Sequence, residues 1–175
     1  SGRRNILGMN RSMFRRRPFL HGMNGSGKNW SGASGRWPKG KTSNQMCGIC
    51  GIIGSSEEEL VSRMLRRLVH RGPDEQGLHR ENGVTLGARR LRVIDPAGGQ
   101  QPVQNENGSV RAVLNGEIYN YRALRQELIE RGHRFTSRCD TEVLVHLYEQ
   151  EGIAGLSRLR GMFAFAMWDR ERQEA

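Results

Sequence analysis

Met46-Cys47-Gly48-Ile49-Cys50-Gly51-Ile52-Ile53 begins the part of the chain whose pattern turns from polar and glycine-rich to apolar. The run from Cys47 to Ile53 predicts a short buried strand, with glycines that let another backbone approach closely. Cys47 follows a methionine directly, and its small side chain permits removal of an initiator methionine. When Cys47 is the first residue it carries a free α-amine, with an unperturbed pKa of about 7.7–8.0. That amine can act, directly or through a water, as general base for the thiol of the same residue. One residue then supplies nucleophile and base, and no catalytic histidine is required. An amide nitrogen is not a useful base, so this chemistry requires that residues 1–45 no longer precede Cys47.

Those residues differ in kind from the body of the chain. Residues 1–45 carry ten of the 28 Lys and Arg and no acid, so residues 46–175 hold 18 Arg against all 18 Asp and Glu and are neutral overall. The formal charge of +10 therefore belongs to the tail alone. Rich in Gly, Ser, Asn and Arg, with scattered aromatics and no apolar period, residues 1–45 read as a disordered basic extension. Three readings compete: a nucleic-acid arm with Arg15, Arg16 and Arg17 on phosphates, an organellar targeting segment, and a non-functional extension upstream of the true start. The last is favoured, and the neutral body gives a nucleic-acid-binding module no groove to offer. Gly22 to Lys28 has the spacing of a phosphate loop, but Asn29 stands where a magnesium-binding hydroxyl is needed and neither strand nor helix flanks it.

With 175 residues and 19.8 kDa, the chain suits one domain and a tail. No run approaches 18 apolar residues, so no membrane span is expected. Three cysteines and the lack of an apolar leader argue against a disulfide-stapled secreted domain.

Along the body, Ser56 and three glutamates predict a helix start, with Leu60, Met64, Leu65 and Leu68 as its apolar marks to about Val69. His70 to Asp74 reads as a rigid polar turn. Strands are expected at Val84–Ala88, Leu91–Ile94 and Val110–Leu114, the last ending at Asn115-Gly116. A helix comes next, from Tyr121 to Arg131, closed by Gly132, then a short strand at Phe135. Another helix opens at Asp140-Thr141-Glu142, where Asp140 suits an N-cap. Residues 153–160 predict a short helix, and Met162–Trp168 a fully buried strand. Mixed strands and helices without a βαβ repeat give an α+β fold of two packed sheets with flanking helices.

Cys47 and Cys50 form a CxxC pair, but inside a strand their side chains point to opposite faces. A zinc site would need Cys139 or loose candidates among His70, His79, His133 and His146, and no second close pair exists. No metal site is assigned.

The ordered blocks His70-Arg71-Gly72-Pro73-Asp74-Glu75-Gln76-Gly77, Arg89 to Asp95, Asn115-Gly116-Glu117-Ile118-Tyr119-Asn120, Asp140-Thr141-Glu142 and Gly161 to Asp169 join the opening Cys47. Together they resemble the class II glutamine amidotransferase domain of glutamine-hydrolysing asparagine synthetases, over residues 46–175. The resemblance implies an N-terminal-nucleophile αββα four-layer sandwich, incomplete at its C-terminus. It implies Cys47 as the nucleophile that forms a γ-glutamyl thioester, with Asn115 and the Gly116 amide as the oxyanion hole. Arg90 then holds the glutamine α-carboxylate and Asp140 its α-ammonium. Glu117 and the backbone of Val93 and Ile94 border the substrate, and Arg71 and Asp74 support loops near the pocket. Glutamine is the implied substrate. No cofactor is implied for these residues; ATP, Mg2+ and aspartate belong to a synthetase domain absent here. The implied setting is cytoplasmic, without nucleic acid or membrane, and compatible with a homodimer. The alternatives are another class II amidotransferase, or a relative that tailors lactams or peptides.

Overall fold

A computed structural model describes residues 47–92, 95 and 98–175. Expectations for residues 1–46, including the phosphate-loop spacing, lie outside the described residues, as do Val93, Ile94, Pro96 and Ala97. Among the described residues, six strands form two antiparallel sheets. The first holds β1 (Gly48–Ile53), β2 (Glu75–Glu81) and β3 (Val84–Arg90), in the order β1-β3-β2. The second holds β4 (Val103–Gln104), β5 (Val110–Ile118) and β6 (Gly161–Asp169), in the order β4-β5-β6. Helix α1 (Glu58–Arg67) packs on β1 and β3. Helix α3 (Glu142–Glu151) packs on β4 and β5, with α2 (Tyr121–Glu130) beside it and a 3-10 helix (Gly152–Arg158) after it. Strands β1 and β3 lie against β5, so the layers run helix, sheet, sheet, helix, the αββα arrangement.

Alternation along each strand builds two cores. Val84, Leu86 and Ala88 of β3 meet Val113 of β5 and Trp168 of β6 between the sheets. Val110, Ala112, Leu114 and Ile118 turn the other way, onto Leu144 and Val145 of α3. On the outer face of β3 a Cβ at Gly87 would stand 2.9 Å from both Val61 and Leu65 of α1, so glycine is what lets this helix settle. Cys50 is paired with Gly87 and shares that outer face, whereas Ile49 is paired with Ala88 and faces the second sheet.

Several elements depart from expectation. Helix α1 buries Val61 and Leu65, while Leu60 and Met64 are over a third exposed, because only the narrow stripe above Gly87 is covered. Ser56 does not cap this helix; its hydroxyl donates to Glu81 O at 2.6 Å and accepts from Gly83 N at 3.1 Å. The helix ends at Arg67, two residues early. Strand β2 escapes sequence reading because it is an edge strand whose residues, Glu75 to Glu81, are mostly polar. Strand β3 continues to Arg90, and Leu91 and Arg92 lie outside any strand. Phe135 is not in a strand; its ring packs on His146 with centroids 4.3 Å apart. Strand β6 is an edge strand, buried only at Trp168 and Asp169, with Met162 65% exposed.

The largest correction concerns Asn115-Gly116. It is not a turn: β5 runs through it to Ile118, with Asn115 paired to Ala164 and Gly116 to Phe163. Gly116 has φ +130°, and a Cβ there would fall 2.0 Å from Met162 O. Only glycine keeps the strand pairing at that point.

Glu142 is 2% exposed at the start of α3, and it organises the 136–137 turn. Its carboxylate accepts from the amide and hydroxyl of Thr136 at 2.6 and 2.9 Å and from those of Ser137 at 2.8 and 2.5 Å. Burial pushes its pKa up, but His146 and the Ser137 and Thr136 donors outweigh burial and hold it at about 2, against an ordinary 4.5. The depressed pKa makes the stabilisation complete above pH 4.5 and loses it as pH falls toward 2, a difference of about 3 kcal/mol. Glu142→Gln is therefore expected to lose about 3 kcal/mol in urea unfolding at pH 7, with a deficit that shrinks below pH 4.5. A deficit independent of pH would contradict the charge-based account.

Candidate active site

Cys47 immediately precedes β1 and is partly buried. Its Sγ accepts from Leu91 N at 3.5 Å, and its carbonyl oxygen accepts from Arg71 Nε at 3.4 Å. Burial pushes the thiol pKa up; the Leu91 amide and the charge of Arg90 pull it down, and the charge of Asp140 pushes it up again. The net direction is upward, so the thiol stays protonated at neutral pH and needs a base to become a nucleophile.

Arg89 and Arg90 close β3, and alternation separates their fates. Arg89 binds Gly72 O and Gln76 at the surface. Arg90 turns inward and is 4% exposed. Its guanidinium donates to Gly98 O at 2.6 Å, to Asp95 O at 2.9 Å and to Glu75 Oε2 at 3.1 Å. Burial raises the Glu75 pKa, but bonds from Arg90 and Arg92 outweigh it and hold Glu75 ionised. Arg90 therefore ties the loop after β3 to β2 with its fork already oriented.

Asp140 is 4% exposed where α3 begins. Its side chain does not cap the helix, whose N-cap is Thr141; Oδ2 accepts instead from Ile118 N at 2.9 Å, and Oδ1 faces Cys139 Sγ at 3.4 Å. The end of β5 is thus fixed to the start of α3. Asn115 and Glu117 share the face of Val113, toward the first sheet. Asn115 Oδ1 is buried without a hydrogen-bond partner among the described residues, and Glu117 is exposed.

The Cys47 thiol thus feels the charges of Arg90 and Asp140, with Asn115-Gly116 on β5 of the facing sheet. Arg71 touches the Cys47 backbone. Asp74 Oδ2 accepts from Arg92 N at 2.9 Å, and its own amide donates to Arg90 O at 3.2 Å, which holds the exit from β3. Val93 and Ile94 lie outside the described residues. Sequence reading missed Glu75 as the partner of Arg90, although it directly succeeds the Arg71-Gly72-Pro73-Asp74 turn. It also missed the Leu91 amide, which is invisible to any side-chain pattern. A cleft of about 340 Å³ is lined by Gly98–Gln100, Pro102–Gln104, Thr136, Ser137 and Glu142; none of Cys47, Arg90, Asn115 or Asp140 is among its described lining residues, though Arg90 bonds Gly98 O at its rim.

Residues 46–175 match the family model of the glutamine amidotransferase domain. The chain belongs to this family. Over 129 residues the amidotransferase domain is 42% identical to the nodule glutamine-hydrolysing asparagine synthetase of Pisum sativum, covering 71% of this chain and 22% of the relative. It is 41% identical over 132 residues to glutamine-hydrolysing asparagine synthetase 1 of Bacillus subtilis (strain 168), covering 71% and 21%. The chain spans about a fifth of the length of these curated relatives. Glutamine phosphoribosylpyrophosphate amidotransferase from B. subtilis shares the fold of the amidotransferase domain with a TM-score of 0.58 at 23% identity, over 70% of this chain and 35% of that one. Among the described residues no helix is long and apolar enough to cross a membrane.

Proposed function

We propose that this domain hydrolyses glutamine at Cys47 and supplies the ammonia to ATP-dependent amidation of aspartate. The observation that carries the reading is that the buried charges of Arg90 and Asp140 both act on the Cys47 thiol. A buried cation and a buried anion suit the α-carboxylate and α-ammonium of an amino acid, and the thiol is then the nucleophile offered to its side chain. Aspartate as acceptor rests on the likeness to asparagine synthetases. ATP, Mg2+ and aspartate are assigned to the portion of those relatives that this chain does not cover.

With Cys47 as first residue, its α-amine takes the thiol proton and the thiolate attacks the side-chain amide carbon of glutamine. The oxyanion that forms is met by the Asn115 side-chain amide and the Gly116 backbone N–H, aligned before reaction by their strand. The protonated amine gives its proton to the departing nitrogen, which leaves as ammonia. Water then attacks the γ-glutamyl thioester, releasing glutamate and regenerating the thiol. The raised thiol pKa makes the adjacent amine necessary rather than incidental.

Arg90 binds a carboxylate present in substrate and transition state alike, so its loss falls mainly on KM. Arg90→Lys keeps the charge and loses the fork. It is expected to raise KM for glutamine by about 10–100-fold with little change in kcat, read from initial rates of glutamate release. A fall in kcat at unchanged KM would instead make Arg90 a residue that only positions the amide. Glutamine turnover by protein beginning at Cys47 tests the function itself, and its absence in folded protein would overturn it.

A further inference from the structure

Four side chains converge beside α3. Glu106 comes from the β4–β5 hairpin and His133 from the loop after α2, while His146 and Glu149 lie three residues apart on α3. One ligand atom from each falls within 4.8 Å of all the others. We propose that these four residues bind one divalent transition-metal ion, zinc above all, in a site that clamps the β4–β5 hairpin to the helical layer.

His146 is the strongest sign of a ligand. It is 0% exposed, and among the described residues neither ring nitrogen has a partner at hydrogen-bond distance and angle; Nε2, 3.7 Å from Glu142 Oε1, acts on that carboxylate through its charge and polarity. Its Nδ1 stands 3.3 Å from Glu106 Oε2 and 4.0 Å from Glu149 Oε2 without alignment to either. A buried imidazole is ordinarily satisfied, and here Nδ1 lies within 4.0 Å of carboxylate oxygens from both Glu106 and Glu149. The second nitrogen of the set, His133 Nδ1, is 3.5 Å from Glu106 Oε1 and 3.7 Å from Glu149 Oε2. A tetrahedron with bonds of about 2.1 Å has edges of about 3.4 Å, so small rotations suffice to close the site.

The surroundings fit as well. Metal-bound imidazoles present their other nitrogen to a carboxylate or carbonyl. His146 Nε2 faces Glu142 Oε1 at 3.7 Å, and the Glu142 carboxylate is itself fixed by Thr136 and Ser137. His133 Nε2 meets the side-chain oxygen Oε1 of Gln150 at 3.0 Å. Two neutral imidazoles, two carboxylates and a divalent ion sum to zero charge. Mixed nitrogen and oxygen ligands select zinc-like ions over calcium or magnesium. Glu106 and Glu149 are exposed, which leaves an entry path. No cysteine takes part: Cys139 Sγ bonds to Thr141 and Asp140.

The test uses the full chain, stripped by a chelator and titrated with Co2+ and then Zn2+. About one equivalent of Co2+ is expected to give tetrahedral visible bands without a sulfur-to-cobalt charge-transfer band. Zn2+ should displace it with a Kd below about 1 µM and raise Tm by several degrees. His133→Gln and Glu149→Gln, at sites only partly covered, should each weaken binding at least ~10-fold and remove the zinc-dependent rise in Tm, while metal-free Tm stays near that of the parent. A featureless cobalt titration, a thiolate charge-transfer band, or unchanged affinity in both variants would overturn the proposal and leave an ion-pair cluster without metal.

Discussion

Cys47→Ala is expected to lower glutamine hydrolysis by at least ~10³-fold, while Cys50→Ala retains most of the rate. Of the two CxxC sulfurs only that of Cys47 feels the charges of Arg90 and Asp140, and only Cys47 can own a free α-amine. Cys50 is paired with Gly87 on the face of the first sheet covered by α1, away from β5. Steady-state rates on protein beginning at Cys47 decide the point. Melting curves must accompany them, because Cys50 packs under α1 and its loss acts on stability. Comparable loss of turnover at both positions in folded protein would restore a joint CxxC role.

Asn115→Ala is expected to reduce kcat by about 10²–10³-fold, or about 2.7–4 kcal/mol of barrier, with KM nearly unchanged. The charge it meets exists only near the transition state, so ground-state binding does not feel the loss. Asn115 Oδ1 is buried without a hydrogen-bond partner among the described residues, and the proposed oxyanion contact uses the Nδ2 donor of the same amide. Asn115→Asp should be no better than alanine, since it sets a carboxylate against the oxyanion. A variant that changes KM and leaves kcat intact would remove Asn115 from the oxyanion hole.

Much of the fold is legible because its central strands alternate cleanly. Val110, Ala112 and Leu114 face one way and Val113 the other, so β5 declares itself a strand between two layers. The edges are where reading fails. Strand β2 is polar because solvent reaches it, and β6 looks like a buried run although a strand with one neighbour buries little of itself. Asn115-Gly116 misleads for a different reason. The pair is the commonest tight-turn signal, and here the glycine serves an unusual φ inside a strand instead.

At the site, residue types were readable and their connections were not. Cys47 is marked by its place after Met46, whereas the roles of Arg90, Asp140 and Asn115-Gly116 come only with the family resemblance. That Arg90 leans on Glu75 and two loop carbonyls, or that Asp140 holds the Ile118 amide, depends on pairings 15 and 22 residues apart in sequence. The His133 and His146 cluster shows the same limit. Both histidines are visible as loose candidates for zinc, but the partners brought to them by the fold are glutamates, not cysteines.

The mechanism stands or falls with Cys47 using its own α-amine as base. Two forms of one protein decide this: one that begins at Cys47, and one that retains Met46 before it. Both should show the same free-thiol count and the same Tm. Ammonia release from glutamine is then measured at neutral pH. Turnover is expected from the form with the free amine, and background rates when Met46 remains as an amide-linked neighbour. Equal rates from the two forms would contradict the role of the amine.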